Sequence, residues 1–468
     1  MDFKELGFKA GLEAHQQLDG RKLFCHCPTI VHDDNKPDII FNRKLRAIAG
    51  ELGKTDLAAK AEMKKDRIYF YEGCSTSSCL VETDSEPPHS LSIKALNTAL
   101  EVALLFNMKV VDEIEFMRKT VVDGSNVSGF QRTALVGYDG YIETSKGRVG
   151  IENLYLEEEA AQKIKEDDET VHWRLDRLGV PLIEIQTAAD IKDPEHAKET
   201  AQLIGMVLRS TGKVKRGIGS IRQDVNVSIK GHPRVEIKGF QELRLMPKVI
   251  ENEIKRQQKE KEGKSHVRKF NSDGTTEFIR PMPGSARMYP ETDIPSISIT
   301  KEQLLKIKLP ELIDDRVLRY EQKYNLRPEL ARELVTKDID FSKYTKIKLD
   351  KNFIAEVIVN YPKEIKKRFN LDSTQLQEEH FLEVLTLFEE KKIPKNAVLN
   401  ILVSRLKGED ININKYQEID DKELELEIKK IIEKNPNVPI GGLMGDVMHK
   451  FKGKIDGKKA MELLKKLK

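Results

Sequence analysis

The composition of this chain changes near residue 301, and this change constrains the fold more than any other feature. Before it, Gly, Thr and Val are frequent and apolar residues come in short runs. After it, apolar residues recur at helical spacing among many Lys and Glu, starting at Leu304, Leu305 and Ile307. Because 468 residues are too many for one core, we expect a mixed α/β region followed by helical regions.

We therefore predict an α+β protein in three parts. Residues 1–300 form a mixed α/β catalytic domain, residues 301–400 a helical domain, and residues 401–468 a small helical tail. Prolines near positions 394, 436 and 439 break the helical pattern. No repeat of 20–50 residues accompanies these changes.

Two strands and two helices can be placed within the first part. Ile221–Ile229 alternates apolar and polar residues, and Val235–Ile237 is its expected pairing strand. Ser90 is the expected cap of a helix through Leu104. Asp193-Pro194-Glu195 predicts a helix start, with Gly212 as its stop. We interpret both helices as packing elements.

The formal net charge is only +3, so any surface for polyanions must come from local segregation of charge. The last 20 residues contain eight Lys against Asp456 and Glu462. This run is either a solvated helix face or a contact for the phosphate backbone of RNA. The chain lacks a run of apolar residues long enough to span a bilayer, and its N-terminus resembles no signal peptide. We expect a cytoplasmic protein without membrane contact.

Polar residues with metal-binding chemistry recur along the first part. Glu13 and His15 are two apart and share one face of an expected strand. Glu184 lies inside the apolar run Pro181-Leu-Ile-Glu-Ile-Gln, where an unpaired carboxylate costs several kcal/mol. Asp224 shares a strand face with Asn226 and Arg222. Oxygen ligands with one imidazole suit Mg²⁺ and bound phosphate.

Two further clusters bear on phosphate chemistry. Glu157, Glu158 and Glu159 are consecutive carboxylates that are either ligands or a solvated acidic turn. Arg118 and Lys119 are candidates for contacts to phosphate oxygens. The chain has neither a P-loop nor a Gly-x-Gly-x-x-Gly after a strand, and it has no Gly-x-Ser-x-Gly elbow. Acyl chemistry would then proceed through phosphoryl activation, without a nucleophile from the protein.

All four cysteines occur in two close pairs, Cys25-x-Cys27 and Cys74-x₄-Cys79. In a reducing compartment such pairs favour a metal over disulfides. A tetrahedral zinc site made by all four is one interpretation. Four separate thiols are the alternative, and His26 and His32 are possible substitute ligands.

Read together, these motifs resemble the GatB/GatE amidotransferase subunits. The resemblance is carried, in order, by Gly11-Leu-Glu-Ala-His15, Lys22-Leu-Phe-Cys25, Arg118-Lys119, Leu156-Glu-Glu158, Arg177-x-Gly-x-Pro-Leu-Ile-Glu184, Ile221-Arg-x-Asp224-x-Asn226, Tyr289-Pro-Glu-Thr-Asp-Ile-Pro295 and Gly442-Leu-Met-Gly-Asp-Val-Met448. Ser128–Thr133 and Arg280–Asp293 look more like the archaeal GatE branch than bacterial GatB. The resemblance implies a cradle-shaped catalytic domain and a YqeY-like tail that binds tRNA.

The resemblance also implies an activity. Such a subunit phosphorylates the glutamate side chain on misacylated Glu-tRNA(Gln) with ATP and Mg²⁺. Ammonia from a GatD amidase partner then gives Gln-tRNA(Gln). The resemblance implies no DNA partner. Alternatives are a GatB-type subunit acting with GatA, also on Asp-tRNA(Asn), and a non-catalytic zinc-stabilised tRNA-binding protein.

The resemblance assigns roles to single residues. The expected Mg²⁺ ligands are Glu13, His15, Glu158, Glu184 and Asp224, with Glu157 as the alternative to Glu158. Lys119 and Arg222 are expected to neutralise phosphate charge, with Asn226 beside them, and Lys119, Glu184, Arg222 and Asn226 to contact the nucleotide. Cys25, Cys27, Cys74 and Cys79 are the possible zinc ligands.

One feature departs from the family pattern. GatE subunits usually carry a domain resembling part of aspartyl-tRNA synthetase between the segments matching Arg244–Pro247 and Asp273–Pro281 here. In this chain that interval holds one helix-like stretch and a charged linker, placed at 257–272. Any tRNA contact that relatives assign to the insertion is therefore not expected here.

Overall fold

The computed structural model describes residues 1–32, 36–46, 55, 57–260, 263–282, 288–409, 421–436, 438–451 and 457–468. It divides into two compact units, Met1–Leu312 and Ile313–Lys468. The first unit is a mixed α/β domain, and the second is helical throughout its described residues. This confirms the predicted fold class.

The first unit contains every strand of the described residues. The strands are β1 Lys9–Gln17, β2 Ile39–Arg43, β3 Ile68–Gly73, β4 Lys109–Val110, β5 Glu113–Ile114, β6 Phe116–Thr120, β7 Phe130–Thr144, β8 Gly147–Glu158, β9 Gln162–Glu166, β10 Thr170–Arg174, β11 Pro181–Thr187, β12 Ile221–Ser228, β13 Val235–Phe240, β14 His266–Phe270, β15 Thr276–Pro281, β16 Met288–Pro290 and β17 Ile297–Ser298. Its helices are α1 Leu57–Met63, α2 Ile93–Leu105, α3 Pro194–Ser210, α4 Met246–Lys259 and α5 Lys301–Leu305.

Within the described residues the largest sheet has eleven strands, in the order β15-β14-β13-β12-β1-β11-β8-β7-β6-β16 with β4 against β7. Its pairings are antiparallel apart from β13 with β14. Helices α2, α3 and α4 pack against strands of this sheet, and their apolar side chains share one core with it. A second sheet, β2-β3-β10-β9, has a small core of its own.

The sequence patterns explain the helices that cover the sheet. Asp193 accepts a hydrogen bond from the His196 backbone N–H at the start of α3, and Pro194 occupies the first turn. Gly212 adopts φ +66°, a left-handed conformation that suits a residue just past the helix. Helix α2 is capped by Ser92, two residues after the predicted Ser90. Each large apolar side chain that these helices bury contributes about 1.5–3 kcal/mol.

The strand predictions are confirmed, and one linker is corrected. β12 pairs with β13 as expected, and the apolar run around Glu184 is the buried strand β11. The interval placed as a linker at 257–272 instead contains the end of α4 and the strand β14. The alternating residues His266–Phe270 pair there with β13, so the sheet continues where a charged linker was expected. Residues 261–262 lie outside the described residues.

The second unit consists of helices around two separate apolar clusters. The first cluster is formed by α6 Ile313–Tyr324, α7 Pro328–Thr336, α8 Lys351–Phe369, α9 Glu378–Glu389 and α10 Ala397–Leu406. The second is formed by α11 Asp421–Lys434, α12 Ile440–Lys450 and α13 Gly457–Leu467. Pro439 immediately precedes α12, in agreement with the predicted break.

Candidate functional site

The central strand β1 brings the predicted polar residues together. It lies between β11 and β12, where Glu13 is directly opposite Asp224 and His15 is directly opposite Glu184. Directly opposed residues of antiparallel strands have Cβ atoms about 4.5–5.5 Å apart. Because side chains alternate along a strand, Leu12 and its even-numbered neighbours enter the core while the odd-numbered face stays polar.

This polar face forms the floor of a cavity of about 780 Å³, a volume typical of small-molecule sites. Of the predicted site residues, Glu13, His15, Lys119, Glu184, Arg222 and Asn226 line the cavity. Asp224 is buried in the same face, beside Glu13. Strands distant in sequence thus assemble one site.

Two groups of metal donors meet at Glu13. The first is Glu13, His15 and Glu184, and the second is Glu13, Asp224 and Glu236. In each group one donor atom per residue lies within 4.8 Å of the others. Carboxylate oxygens with one imidazole suit Mg²⁺, which usually keeps several waters and binds substrate phosphates as well.

Lys119 holds the first group from one side. Its Nζ atom lies 2.7 Å from Glu157 Oε1 and 3.4 Å from Glu184 Oε2. Burial alone would raise the pKa of Glu184, but Lys119 and His15 together hold that pKa well below its usual range. For Glu157, burial and the nearby Glu184 charge prevail over Lys119 and raise the pKa. Glu184 is therefore the carboxylate of this pair that stays ionised.

His15 is tied to the same carboxylate. Its Nε2 atom lies 3.3 Å from Glu184 Oε2. Burial would lower the pKa of His15, but the hydrogen bond and charge of Glu184 raise it above its ordinary value. A cation at this position would compete with the proton for Nε2, so the ion pair marks where a metal would enter.

Lys238 holds the second group in a similar way. It donates to Asp224 Oδ2 at 2.8 Å and pairs with Glu236, while the Gly239 N–H donates to Asp224 Oδ1 at 2.8 Å. Burial opposes the charge on Asp224, yet Lys238 and His15 lower the pKa of that carboxyl. Asp224 thus remains ionised without a metal.

Glu13 is the carboxylate that both groups share. Burial, together with the charges of Glu184 and Glu236, raises its pKa. Asn226 Nδ2 donates to Glu13 Oε1 at 2.9 Å, whereas the buried Asn226 Oδ1 has no hydrogen-bond partner in the described structure. A divalent cation would relieve the repulsion, and its bound water would supply a donor to Oδ1. The residues therefore fit Mg²⁺.

Glu158 does not join these groups, and its assignment as a metal ligand is corrected. Glu157 is directly opposite Leu182 and Thr133, and it lines the cavity. Glu158 is the next residue along the strand and so points to the other face. There its Oε2 lies 3.3 Å from Arg132 Nη1. The interpretation of these carboxylates as a solvated turn is also wrong, because Glu157, Glu158 and Glu159 are all buried.

Arg222 lines the cavity but is already oriented by a carboxylate. Its two Nη atoms donate to the two carboxylate oxygens of Glu159, both at 3.0 Å. Gln17 Nε2 donates to Glu159 Oε2 at 3.0 Å. This bidentate pair fixes the guanidinium plane, so Arg222 presents a positioned positive charge to the cavity.

Several residues of the site were not predicted from the sequence. Glu236 and Lys238 belong to β13, where Glu236 is directly opposite Asn226. The sequence pattern did indicate them, because polar residues of a pairing strand lie on the same face of the sheet as the polar residues opposite them. Gln131 and Thr133 both donate to Glu157, and Gln186 donates to Glu184 Oε1 at 2.6 Å. Gln131 and Thr133 belong to the Ser128–Thr133 motif and Gln186 ends the run Pro181-Leu-Ile-Glu-Ile-Gln, but neither pattern predicted these contacts.

Three of the cysteines form a second candidate metal site. Cys25, Cys27, Cys79 and Glu82 place one donor atom each within 4.8 Å of one another. Cys25 Sγ lies 3.0 Å from Glu82 Oε1, and burial with this contact raises the pKa of Cys25. Burial likewise raises the pKa of Cys79 to about 11. The set of soft thiol ligands and one carboxylate is compatible with tetrahedral zinc.

Cys74 is absent from this group, so the predicted set of four cysteines is corrected. The Cys74 N–H donates to Asp176 Oδ1 at 3.2 Å, as does the Ser77 hydroxyl at 2.8 Å. Loop geometry around Asp176 thus takes Cys74 away from the other thiols, and Glu82 takes its place. The suggested substitutes His26 and His32 are not members of the group either.

The basic C-terminal run is partly paired. In α12 and α13, Lys450 pairs with Glu427 and Lys466 lies 3.2 Å from Glu425. Residues 452–456, which include two of the eight lysines, lie outside the described residues, as does the 283–287 part of the Arg280–Asp293 motif. No helix of the described residues is long and apolar enough to cross a membrane.

Comparison with known proteins identifies the relatives of both units. Residues 8–305 match the GatB/GatE catalytic domain, and residues 340–467 match the GatB domain. The GatE subunit of the glutamyl-tRNA(Gln) amidotransferase of Methanosarcina acetivorans is 36% identical over 99% of this chain and 98% of its own length. The Methanocaldococcus jannaschii protein of the same name is 36% identical over 100% and 99%. That of Archaeoglobus fulgidus is 34% identical over 100% and 98%.

The lengths of these alignments bear on the expected missing domain. The alignment with the Methanosarcina acetivorans protein spans 623 positions, which exceeds the 468 residues of this chain by 155. At least that many positions are therefore gaps in this chain, enough for a domain. The relative carries additional sequence that this chain lacks.

Proposed function

We propose, from the premise that this chain belongs to the GatB/GatE family, that it is the part of a tRNA-dependent amidotransferase that activates glutamate on misacylated tRNA(Gln). The supporting observation is the pair of metal-donor groups that share Glu13 in a cavity lined by Lys119 and Arg222. Relatives aligned over nearly their full length are named as the GatE component of glutamyl-tRNA(Gln) amidotransferase.

The proposed reaction has two balanced steps. A side-chain carboxylate oxygen of the glutamyl group bonds to the γ-phosphorus of ATP, while the bond from that phosphorus to the bridging oxygen of ADP breaks. Ammonia then adds to the acyl carbon of the acyl phosphate, and inorganic phosphate leaves as a proton is released. Neither step needs a nucleophile from the protein.

The residues of the cavity supply binding and charge. Glu13, His15, Glu184, Asp224 and Glu236 would hold Mg²⁺, which neutralises charge on phosphate oxygens when bound. Lys119, between Glu157 and Glu184, presents a positive charge near the same place. Arg222, fixed by Glu159, presents a second. Such preorganised charges stabilise the charge that develops on transferring phosphoryl groups.

The ammonia source and the tRNA contacts are further parts of the proposal. We propose a GatD amidase as partner, on the family resemblance, and the C-terminal residues 401–468 as a surface for the tRNA body, supported by the eight Lys against two acids in the last 20 residues. We further propose that residues 1–300 are the catalytic domain and residues 301–400 a helical domain.

Isosteric substitutions test the proposed activation step. We expect Glu13→Gln and Asp224→Asn each to lower Glu-tRNA(Gln)-dependent ATP cleavage by about 10²–10³-fold, because each removes a carboxylate that the divalent cation needs. The measurement is ADP release by the chain with its amidase partner, Mg²⁺ and Glu-tRNA(Gln). Asp168→Asn, an exposed position outside the cavity, serves as the matched control and should leave the rate unchanged.

Two results would contradict the proposal. One is full activity in both site variants. The other is ATP cleavage by the parent protein that does not depend on Glu-tRNA(Gln). Replacing Glu-tRNA(Gln) by Asp-tRNA(Asn) in the same assay tests the alternative substrate, and we expect no stimulation by it.

We also propose that the Cys25, Cys27, Cys79 and Glu82 group holds a structural zinc ion. Because zinc binds thiolates, the raised pKa values imply that binding releases protons. We expect the purified parent protein to contain one zinc ion per chain, and the zinc content of Cys25→Ser to be at least about tenfold lower. Cys74→Ser should retain the metal, as measured by elemental analysis. Loss of zinc from Cys74→Ser would instead restore the set of four cysteines.

A further inference from the structure

The cationic side chains that line the cavity form two sets. Lys119, Lys238 and Arg222 form ion pairs with carboxylates. Lys9, Arg234 and Arg280 line the same cavity without a carboxylate partner among the described residues. Within the ranges that the structure describes, none of these last three side chains makes a hydrogen bond or an ion pair. We call Lys9, Arg234 and Arg280 the rim cations.

Two of the rim cations, Lys9 and Arg234, lie beyond the metal donors toward one end of the strands, and Arg280 lies level with Glu236. Lys9 precedes Glu13 by four residues on the same face of β1, with Gly11 between them. Arg234 precedes Glu236 by two residues at the start of β13. At about 3.3 Å per residue these offsets place Lys9 and Arg234 roughly 7–13 Å along the strands from the donors.

The rim cations are also spread across the sheet. Lys9 belongs to β1, Arg234 adjoins β13 and Arg280 belongs to β15, and one strand lies between β1 and β13 and another between β13 and β15. Neighbouring strands are about 4.8 Å apart, so the three backbones are separated by steps of about 10 Å. Lys9 and Arg234 are exposed, whereas the metal donors are buried or half-buried. Asp123 and Glu152 also line the cavity, which leaves one positive charge in excess of these two acids.

A ligand that satisfies this arrangement must be an extended anion. The phosphates of one nucleoside triphosphate are separated by single oxygen atoms, so they form a compact group suited to the metal donors. Successive phosphodiester groups of a single RNA strand are spaced by whole nucleotides. They can therefore contact cations that lie on separate strands of the sheet.

We infer that the rim cations bind phosphodiester groups of the single-stranded 3′ end of an RNA substrate, whose terminal acyl group then reaches the metal donors. This inference rests on the proposed function and adds to it the path by which the substrate enters. The rim cations position the RNA backbone, and they read no base sequence. They act on binding, since they lie outside the groups that hold the reacting atoms.

RNA binding by the full chain tests the inference. The probes are a short RNA hairpin with a single-stranded 3′-CCA end, the same hairpin with a blunt end, and ATP with Mg²⁺. The variant is the triple Lys9→Gln, Arg234→Gln, Arg280→Gln. The matched control is the triple Lys64→Gln, Lys165→Gln, Lys255→Gln, which removes three exposed charges outside the cavity.

We expect the rim variant to bind the CCA hairpin about tenfold more weakly at low salt. The slope of log K against log salt should fall by about 2, because each single-strand phosphate contact contributes about 0.7. Binding of the blunt hairpin and of ATP should match the parent protein, and the control variant should match it throughout. The probes are followed by fluorescence anisotropy and equilibrium dialysis.

Two outcomes would overturn the inference. Unchanged affinity and salt slope for the CCA hairpin would show that the rim cations do not contact it. Loss of ATP affinity with unchanged RNA binding would assign them to the nucleotide. Because these measurements need no turnover, failure of the ATP cleavage assay would contradict the proposed function and leave the binding comparison readable.

Discussion

Replacing Glu184 with glutamine should lower Glu-tRNA(Gln)-dependent ATP cleavage by about 10³-fold while the fold is retained. Glu184 is buried, yet Lys119 and His15 keep its pKa well below the usual range. It therefore carries a negative charge that holds Lys119 and His15 in the first donor group. Glutamine keeps the shape and the hydrogen bond from Gln186 but removes that charge.

The measurement should separate lost chemistry from lost folding. ADP release reports the activity, and thermal unfolding reports the fold. Glu113→Gln, an exposed position outside the cavity, is the matched control and should match the parent in both assays. A Glu184→Gln protein that stays folded and cleaves ATP at the parent rate would remove Glu184 from the proposed machinery.

The second large effect is expected on stability, on the face of the sheet opposite the cavity. Arg132 is buried, with Nη1 3.3 Å from Glu158 Oε2 and Nε 2.7 Å from Glu291 Oε2. Arg132→Met should lower the free energy of unfolding of the first unit by about 3–5 kcal/mol, because two buried carboxylates lose their shared partner. Urea unfolding followed by circular dichroism measures the change.

An exposed ion pair offers the control for this prediction. Arg148 lies 2.8 Å from Glu143, and both side chains are exposed, so Arg148→Met should cost at most about 1 kcal/mol. Adding Glu158→Gln to Arg132→Met should recover part of the loss, because one uncompensated charge disappears. An Arg132→Met protein as stable as Arg148→Met would show that the buried network is not coupled as its geometry implies.

The structure also gives two neighbouring glutamates different roles. Glu157 and Glu158 are adjacent in sequence and both are buried. Glu157 contacts Lys119 and Thr133 at the cavity, while Glu158 contacts Arg132 on the other face. Changes at Glu157 are therefore expected to affect activity, and changes at Glu158 to affect stability.

Much of the framework was predictable from local pattern. The alternation in β12, the apolar run of β11 and the capping residue Asp193 each predicted an element that the structure contains. The pairing of Glu13 with His15 on one strand face followed from the period of two. These signals are local, because they depend only on neighbours along the chain.

The sequence by itself determined which residues share a strand face and which segments become helices, because periodicity and capping act over a few residues. Only the tertiary structure decided which faces meet. Strand register brought Glu236 and Lys238 beside Asp224 and directed Glu158 away from the cavity. Loop packing around Asp176 separated Cys74 from the other thiols and left Glu82 in its place. Contacts of this kind join residues far apart in the chain, so they depend on how whole elements pack.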